Sequence, residues 1–360
     1  MLRQGSWRRG GANWLPSSVA SRHGDTIDMR LNREQILGYR RLVGHLDVRQ
    51  VPGADSLRRA AGAGLTDSGP RAAVLSLHAR VEQIEPDAWQ DPALVQIWGP
   101  RFSAYVIADA DREVFTLGRM PRSGQLRDRA LEMAARLADL LGTSQMQYRE
   151  AGSHLGVDPN ALRYATLTGT VLLRWEGSGK PEIRMAPPPQ LDEAEARREL
   201  VRRHLHFFGP STVESFGRWA GVSPPQARLT FDELSAELES VATPVGEAVI
   251  LASDGELLQT KSGPPASARL LPSGDTYYLL QGQDRELLVA DSEQRSRLWT
   301  SRVWPGAVLV GGEVAGTWRR TRENVTISAW RRLTKAERAS IEPEAESFPL
   351  VDQPVTVGWD

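Results

Sequence analysis

The chain contains no cysteine. That excludes a disulfide framework, a thiolate zinc site and a cysteine-ligated iron–sulfur cluster. A reducing, cytoplasmic setting is the expected location. Histidine is scarce too: there are six in 360 residues, and His204 and His206 stand two apart, with no HExxH pair anywhere. Neither a metal nor any other cofactor is expected. Long apolar runs are also missing. None approaches the roughly 20 residues that span a bilayer, so no membrane partner is expected. Neither sign of charge dominates: 44 Lys and Arg face 45 Asp and Glu, for a net charge of −1. This argues against a uniformly basic grip on nucleic acid. It leaves open a protein whose charges are segregated onto one face. Arginine far outnumbers lysine, which suits phosphate-binding forks but also follows from a GC-rich coding bias.

What the chain does have is a motif used twice. One copy reads Gly156-Val157-Asp158-Pro159-Asn160-Ala161-Leu162-Arg163, and the other Gly221-Val222-Ser223-Pro224-Pro225-Gln226-Ala227-Arg228. Each holds the parts of a sharp turn into a helix. Glycine permits a positive φ, Asp or Ser caps the first free amides, and proline at the first helical position leaves no amide unpaired. A helical stretch precedes each copy and a strand-like stretch follows. This is the grammar of a helix-turn-helix with a β-hairpin wing. Two copies point to a tandem array, an architecture that most often handles DNA.

The rest divides by composition. Residues 1–29 lack periodicity and read as a disordered tail without a secretory core; Met29 is a second candidate start. The first unit spans residues 30–120. Asn32 opens a helix with Ile36, Tyr39, Leu42 and Val43 on one face. Further helices are expected near 55–61, 71–82 and 87–98, and a strand at 102–107. The second unit, 121–190, carries helices at 125–141, 144–155 and 159–165, then strands at 170–175 and 182–185 around a Gly-rich wing tip. The third, 191–255, has helices at 192–208 and 224–237 and a hairpin at 241–251. The last, 265–352, is β-rich, with strands expected at 277–280, 287–289, 308–310, 314–319 and 325–327. Gly311-Gly312 reads as a hairpin turn, and a helix at 334–346 closes the unit. The fold class expected is α+β, with tandem winged helix-turn-helix units followed by a small C-terminal β-barrel.

Several stretches resemble one bacterial family. They are Pro70-Arg71-Ala72-Ala73-Val74-Leu75-Ser76-Leu77-His78-Ala79-Arg80-Val81, Leu94-Val95-Gln96-Ile97-Trp98 with Arg101, and Phe208-Gly209-Pro210-Ser211-Thr212 through Trp219-Ala220-Gly221. Leu270-Leu271-Pro272-Ser273-Gly274-Asp275 and Gly316-Thr317-Trp318-Arg319-Arg320 complete the set. In order and spacing they are similar to the AlkZ-like and YcaQ-like DNA glycosylases, which unhook bulky or crosslinked alkylated bases. The resemblance implies about three winged-helix units and a β-barrel around a DNA-sized concavity. It also implies double-stranded DNA, possibly alkylated, as partner. The family's catalytic Gln-Φ-Gln or Gln-Φ-Asp lies just upstream of the stretch matching Pro70–Val81. That place here holds Leu65-Thr66-Asp67-Ser68-Gly69, without either Gln. The family's strand tends to carry a His near the position of Tyr105. Gln281-Gly282-Gln283 has the right letters but stands in the β-rich unit.

Release of a cationic alkylpurine needs little acid catalysis, because the leaving base is already charged. It needs an oriented water and stabilisation of an oxocarbenium-like sugar. Asp67 suits that water, with Thr66 and Ser68 as hydrogen-bond helpers; the alternative is an Asx-type turn capping the following helix. His78 reads as a packed histidine with one satisfied nitrogen. Arg101 either holds a phosphate or pairs with an acid such as Glu82, and Tyr105 stands beside it in sequence space. Asn160, Arg163 and Tyr164 are candidates for reading DNA from the second unit. Arg174, Lys180 and Arg184 on its wing, and Arg319 and Arg320 in the last unit, are candidate phosphate contacts. Gln226 and Arg228 project from the third unit's helix, but Asp232, Glu233, Glu237 and Glu239 follow them, which favours a structural role there.

Overall fold

The computed structural model describes residues 29–69, 71–177, 180–261, 263–349 and 355–360. The expected tail lies outside the described residues, except for Met29, and so does part of the wing tip, at 178–179.

One arrangement recurs along the chain. In its second occurrence a long helix, Gln125–Leu141, is followed by a strand, Gln145–Gln147, and a helix, Tyr148–Leu155. Next come 3₁₀ turns over Pro159–Thr168 and a hairpin, Val171–Arg174 with Glu182–Met185. The short strand pairs with the far arm of the hairpin. The first occurrence runs through Ala54–Ala60, Leu65–Thr66, Ala72–His78 and the hairpin Leu94–Trp98 with Ala104–Ala108, in the same strand order. The third runs through Glu193–Phe208, Val213–Ala220 and Pro224–Glu233 to the hairpin Leu238–Thr243 with Gly246–Leu251. Here a single bridge from Ser211 to Val249 stands in for the short strand. Met29–Arg30 adds a parallel edge to this hairpin.

The repeated turn is built as its residues dictate. Gly156 and Gly221 take φ of 64° and 74°, the left-handed region that glycine enters without a Cβ penalty. The Asp158 side chain accepts from the Asn160 amide at 2.8 Å, and that of Ser223 accepts from the Gln226 amide at 3.4 Å. Asn32 and Gln35 form a reciprocal capping box on the helix Arg33–Val43, and Asp192 caps Glu193–Phe208.

Several expectations are corrected. The stretch 87–98 is not a helix: only Ala88–Gln90 makes a 3₁₀ turn, and Leu94–Trp98 is a strand. All five residues of that strand are buried, so its apolar run carries no period that separates strand from helix. The helix expected over 71–82 shortens to Ala72–His78, and the one over 144–155 begins at Tyr148 after a strand. The strands expected at 277–280 and 287–289 are a 3₁₀ turn, Thr276–Tyr278, and a helix, Asp284–Leu288. Asp275 captures the Tyr277 amide at 3.0 Å and holds the first of these as a turn. The C-terminal sheet is not a closed barrel. Its strands Ala268–Leu271, Gly306–Val310, Glu313–Thr321, Asn324–Ala329 and Thr356–Trp359 pair in that order, and the first and last do not meet. The helix Lys335–Glu346 packs on the edge strand Ala268–Leu271, with Leu270, Ile327, Ile341 and Phe348 buried together. A covered face removes the pressure to close the sheet on itself.

The repeats share a core. Leu37, Phe115, Leu200, Trp219, Tyr278 and Leu309 belong to one buried cluster that crosses every unit boundary drawn from the sequence, the second unit joining it at Leu172. His204 sits inside it, ringed by Phe208, Phe216 and Trp219 at 5.1–5.4 Å between centroids. Burial holds its imidazole neutral, with a pKa of about 3.

Candidate functional site

The loop Leu65–Ser68 leaves a short strand that pairs through Thr66 with Tyr105. Thr66 is buried and donates to the Gly274 carbonyl at 3.0 Å. Gly274 has φ of 74°, and a Cβ there would stand 2.8 Å from Thr66 Oγ1. Only glycine fits this contact. Asp67 is 1% exposed. One of its oxygens accepts from the Ala73 amide at 3.2 Å, at the start of the helix Ala72–His78. The other accepts from Gln96 Nε2 at 2.9 Å and lies 3.5 Å from Arg71. Burial raises the Asp67 pKa to about 6, against the opposing pull of Arg71, the Ala73 amide and Gln96. Ser68 is exposed and makes no hydrogen bond among the described residues.

Gln96 extends the network into the second unit. Its Oε1 accepts from the Trp175 amide at 2.7 Å, and its Nε2 reaches the Trp175 carbonyl at 3.2 Å. Arg71 donates to the same carbonyl at 2.8 Å and lies 4.1 Å over the Trp89 ring. Arg174 also stacks on Trp89, at 5.5 Å, and is tied to Glu176 at 2.9 Å and Gln90 at 2.9 Å. The loop Leu65–Ser68 and the end of the hairpin arm Val171–Arg174 are therefore one hydrogen-bonded assembly.

On the other side of Thr66 stands Tyr105, 1% exposed. Its hydroxyl has no hydrogen-bond partner of normal geometry among the described residues. Burial raises its pKa to about 12, while the nearby charge of Arg101 pulls the other way. Arg101 is exposed and has a left-handed backbone, with φ of 55°, and so has Phe102 at 57°. The turn they make is gripped from two units. The backbone of Arg101 lies against Gly221, and Phe102 packs edge-on to Tyr164 at 5.1 Å.

The remaining candidates fall into two groups. Asn160, Lys180 and Arg184 are exposed and make no ion pair among the described residues. Arg163 is half-buried with its Nε unpaired, and Tyr164 is covered by Arg129 at 4.4 Å. Arg319 and Arg320 are exposed on the strand Glu313–Thr321, and Arg319 reaches only the Val303 carbonyl, at 3.3 Å. The third unit is different. Gln226 is buried and donates to the Met120 carbonyl at 3.2 Å, and Arg228 faces Glu214 at 3.8 Å. Arg197, Arg198, Arg202 and Arg203 are all paired, with Glu193, Glu195, Glu199, Glu237 and Asp111. His78 is a packed histidine: its Nε2 lies 3.0 Å from Ser347 Oγ, and burial lowers its pKa to about 3.

The sequence reading missed Gln96 and Arg71. Gln96 had a signal, as the one polar side chain in Leu94-Val95-Gln96-Ile97-Trp98. Elsewhere, Arg285 lies 5.1 and 5.4 Å over the rings of Trp299 and Trp304. Among the described residues no cluster of His, Asp or Glu has the makings of a metal site, and no helix is long and apolar enough to cross a membrane.

This mixed α+β fold is one found in DNA glycosylases. It aligns with the Streptomyces sahachiroi DNA glycosylase AlkZ at a TM-score of 0.74, over 91% of this chain and 100% of that one, at 19% identity. The family model for AlkZ-like DNA glycosylases matches residues 57–349, and the chain belongs to that family. An interstrand DNA cross-link repair glycosylase of Streptomyces sahachiroi is 29% identical over 161 residues. That match covers 44% of this chain and 42% of the relative, so the chain is aligned to less than half of that protein's length.

Proposed function

We propose that the chain binds duplex DNA along tandem winged-helix units at about 30–120, 121–190 and 191–255. In this reading Asp67 orients Gln96 and Arg71, which reach the second unit at Trp175, and is not the group that orients a hydrolytic water. The single observation that carries the DNA reading is the uneven pairing of cations. Arg197, Arg198, Arg202, Arg203 and Arg228 of the third unit are tied to carboxylates, whereas Arg163, Lys180, Arg184, Arg319 and Arg320 are left without them. An exposed cation without an internal partner is available to a phosphate, and its counterions are released when one arrives. A net charge of −1 then ceases to argue against DNA, because the acids are spent where DNA is absent.

Asp67 has a pKa well placed for a base, but both of its oxygens are engaged and it is 1% exposed. A base must reach the proton it removes. The test is binding of a labelled duplex as salt is raised. Affinity at low salt that falls linearly on a log–log plot is the expected result. No binding at low salt, or binding indifferent to salt, overturns the reading and leaves a protein scaffold in its place.

One observation favours a second reading, an active glycosylase for bulky alkylated purines. Ser68 presents a free hydroxyl to solvent on the loop that occupies the family's catalytic position. A hydroxyl there is able to orient water toward the sugar. Base release from alkylated DNA decides this. Loss of release in Ser68→Ala at unchanged melting temperature supports Ser68. Loss in Asp67→Asn with a lowered melting temperature is what a structural Asp67 produces.

A further inference from the structure

We propose that the cavity between the helices Arg33–Val43, Ala54–Ala60 and Glu193–Phe208 binds a small aromatic carboxylate, with its acid group on Arg59 and His45. This site is separate from the DNA reading and stands or falls without it.

The cavity encloses about 850 Å³, a volume typical of small-molecule sites. It lies against the Ala108 end of the strand Ala104–Ala108. The loop after Thr66 is at the other end, where the Asp67 amide bonds the Ala104 carbonyl at 2.8 Å. The two sites are therefore distinct. Leu42, Phe207 and Leu257 give the cavity apolar walls, and Leu42 is left 43% exposed. A Cβ on Gly62 would stand 2.7 Å from the Phe207 ring, so that ring is seated hard against the end of the helix Ala54–Ala60. The His206 ring meets Phe207 edge-on at 5.0 Å. It is fixed as well, because its Nδ1 lies 3.1 Å from Asp254 Oδ2, which also accepts from Tyr39 at 2.8 Å. Two rigid rings at right angles bound a space that suits a flat aromatic guest.

Charge decides what the guest carries. Four arginines and two carboxylates line the cavity. Both carboxylates, Asp111 and Glu199, are engaged by Arg203, at 2.8 and 2.9 Å. Arg202 is tied to Glu195 and Glu237, and Arg58 to Asp55. Arg59 is different. Among the described residues it meets no carboxylate: its Nε donates to the Gln50 side chain and its Nη2 to Ser56 at 3.1 Å, which leaves Nη1 unused. Two neutral acceptors aim the guanidinium without cancelling its charge, and a carboxylate completes the fork. His45 also lines the cavity, as a non-glycine residue with φ of 54°. Side chains rarely adopt that backbone, and such strain gathers at functional sites. Burial, and then the charges of Arg80, Arg59 and His206, lower the His45 pKa to about 4. Cations thus outweigh anions around this ring, while the neutral imidazole keeps one N–H to donate to an acid.

The experiment titrates the full chain by calorimetry with phenylbutyrate and with its uncharged counterpart phenylbutanol. The acid should bind at one site with a Kd on the order of 0.1–1 mM. The alcohol should bind about tenfold more weakly, for want of the charge-assisted contact. Arg59→Gln should bring the acid down to the affinity of the alcohol and leave the alcohol unchanged. His45→Gly should weaken the acid while melting at or above the wild-type temperature, because glycine takes a positive φ without strain. Ala110→Trp, at an exposed lining position, should block both compounds at an unchanged melting temperature. Absence of saturable binding by the acid up to about 10 mM overturns the site. So does equal affinity for acid and alcohol, the mark of a merely apolar crevice. Binding of the acid that survives both Arg59→Gln and Ala110→Trp takes place elsewhere and overturns it as well.

Discussion

The second and third units start from nearly the same turn and end with opposite surfaces. Both place a left-handed glycine, a capping Asp or Ser and a proline before the helix that follows. In the second unit that helix shows solvent Asn160 and half-buries Arg163 and Tyr164. In the third it buries Gln226 against Met120 and sets Arg228 opposite Glu214. The turn motif thus specifies how a helix begins, and the charges around it decide what the helix is for. A repeat read only for its turn overstates the likeness of the two copies.

The largest effect expected from this contrast is on DNA affinity. Combining Arg163→Ala, Lys180→Ala and Arg184→Ala should weaken duplex binding by about a thousandfold, near 4 kcal/mol, and flatten the salt slope by about three. Arg228→Ala in the third unit should leave both unchanged. Equal losses in the two units, measured by anisotropy, would erase the contrast. Next comes packing, where the copies should agree. Leu162 is 0% and Phe231 5% exposed, so Leu162→Ala and Phe231→Ala should each cost about 3 kcal/mol in urea melts.

Acid should separate the units again. His204 is neutral in the folded third unit, with a pKa near 3, while the unfolded chain protonates around 6.5. Its contribution is present above pH 6.5 and is lost as pH falls toward 3, by about 2 kcal/mol at pH 5. Replacing His204 with Phe should flatten that part of the stability profile. The second unit's His154 is exposed, and His154→Gln should not change it. Asp67 works in the opposite sense. Its pKa is raised, so its share of stability is present below 3.8 and lost as pH rises through about 6. The smallest effect is at the glycines. Gly156→Ala meets nothing within 4 Å and should cost about 1 kcal/mol for its positive φ. Gly221→Ala also meets the Arg101 backbone at 3.2 Å and should cost more.

Local chemistry was the legible part of this chain. Asn32, Asp158, Asp192, Ser223 and Thr334 each announce a helix start, and each caps one. The hairpins expected at 170–185 and 241–251 form too, the second beginning three residues earlier, at Leu238. Illegible were the segments whose form is decided by distant partners. Leu94–Trp98 is a strand because Ala104–Ala108 pairs with it. Thr276–Leu288 curls because Asp275, itself bound to Arg80 at 2.7 Å, fixes the chain there. At the candidate site, Asp67 and Ser68 were found by position in the chain, but their roles depend on direction. One side chain turns inward to Gln96 and the other outward, which no spacing rule reveals.

The bond pair from Gln96 to the Trp175 backbone has a mechanical meaning. A side-chain amide that engages both polar groups of one peptide residue acts as a cross-strut between two lobes. The angle between those lobes is then set during folding, before any ligand arrives. Little freedom is surrendered on association. On the proposed DNA reading, a fixed angle between the units leaves the adjustment to the duplex, and sequences that bend easily should be held most tightly.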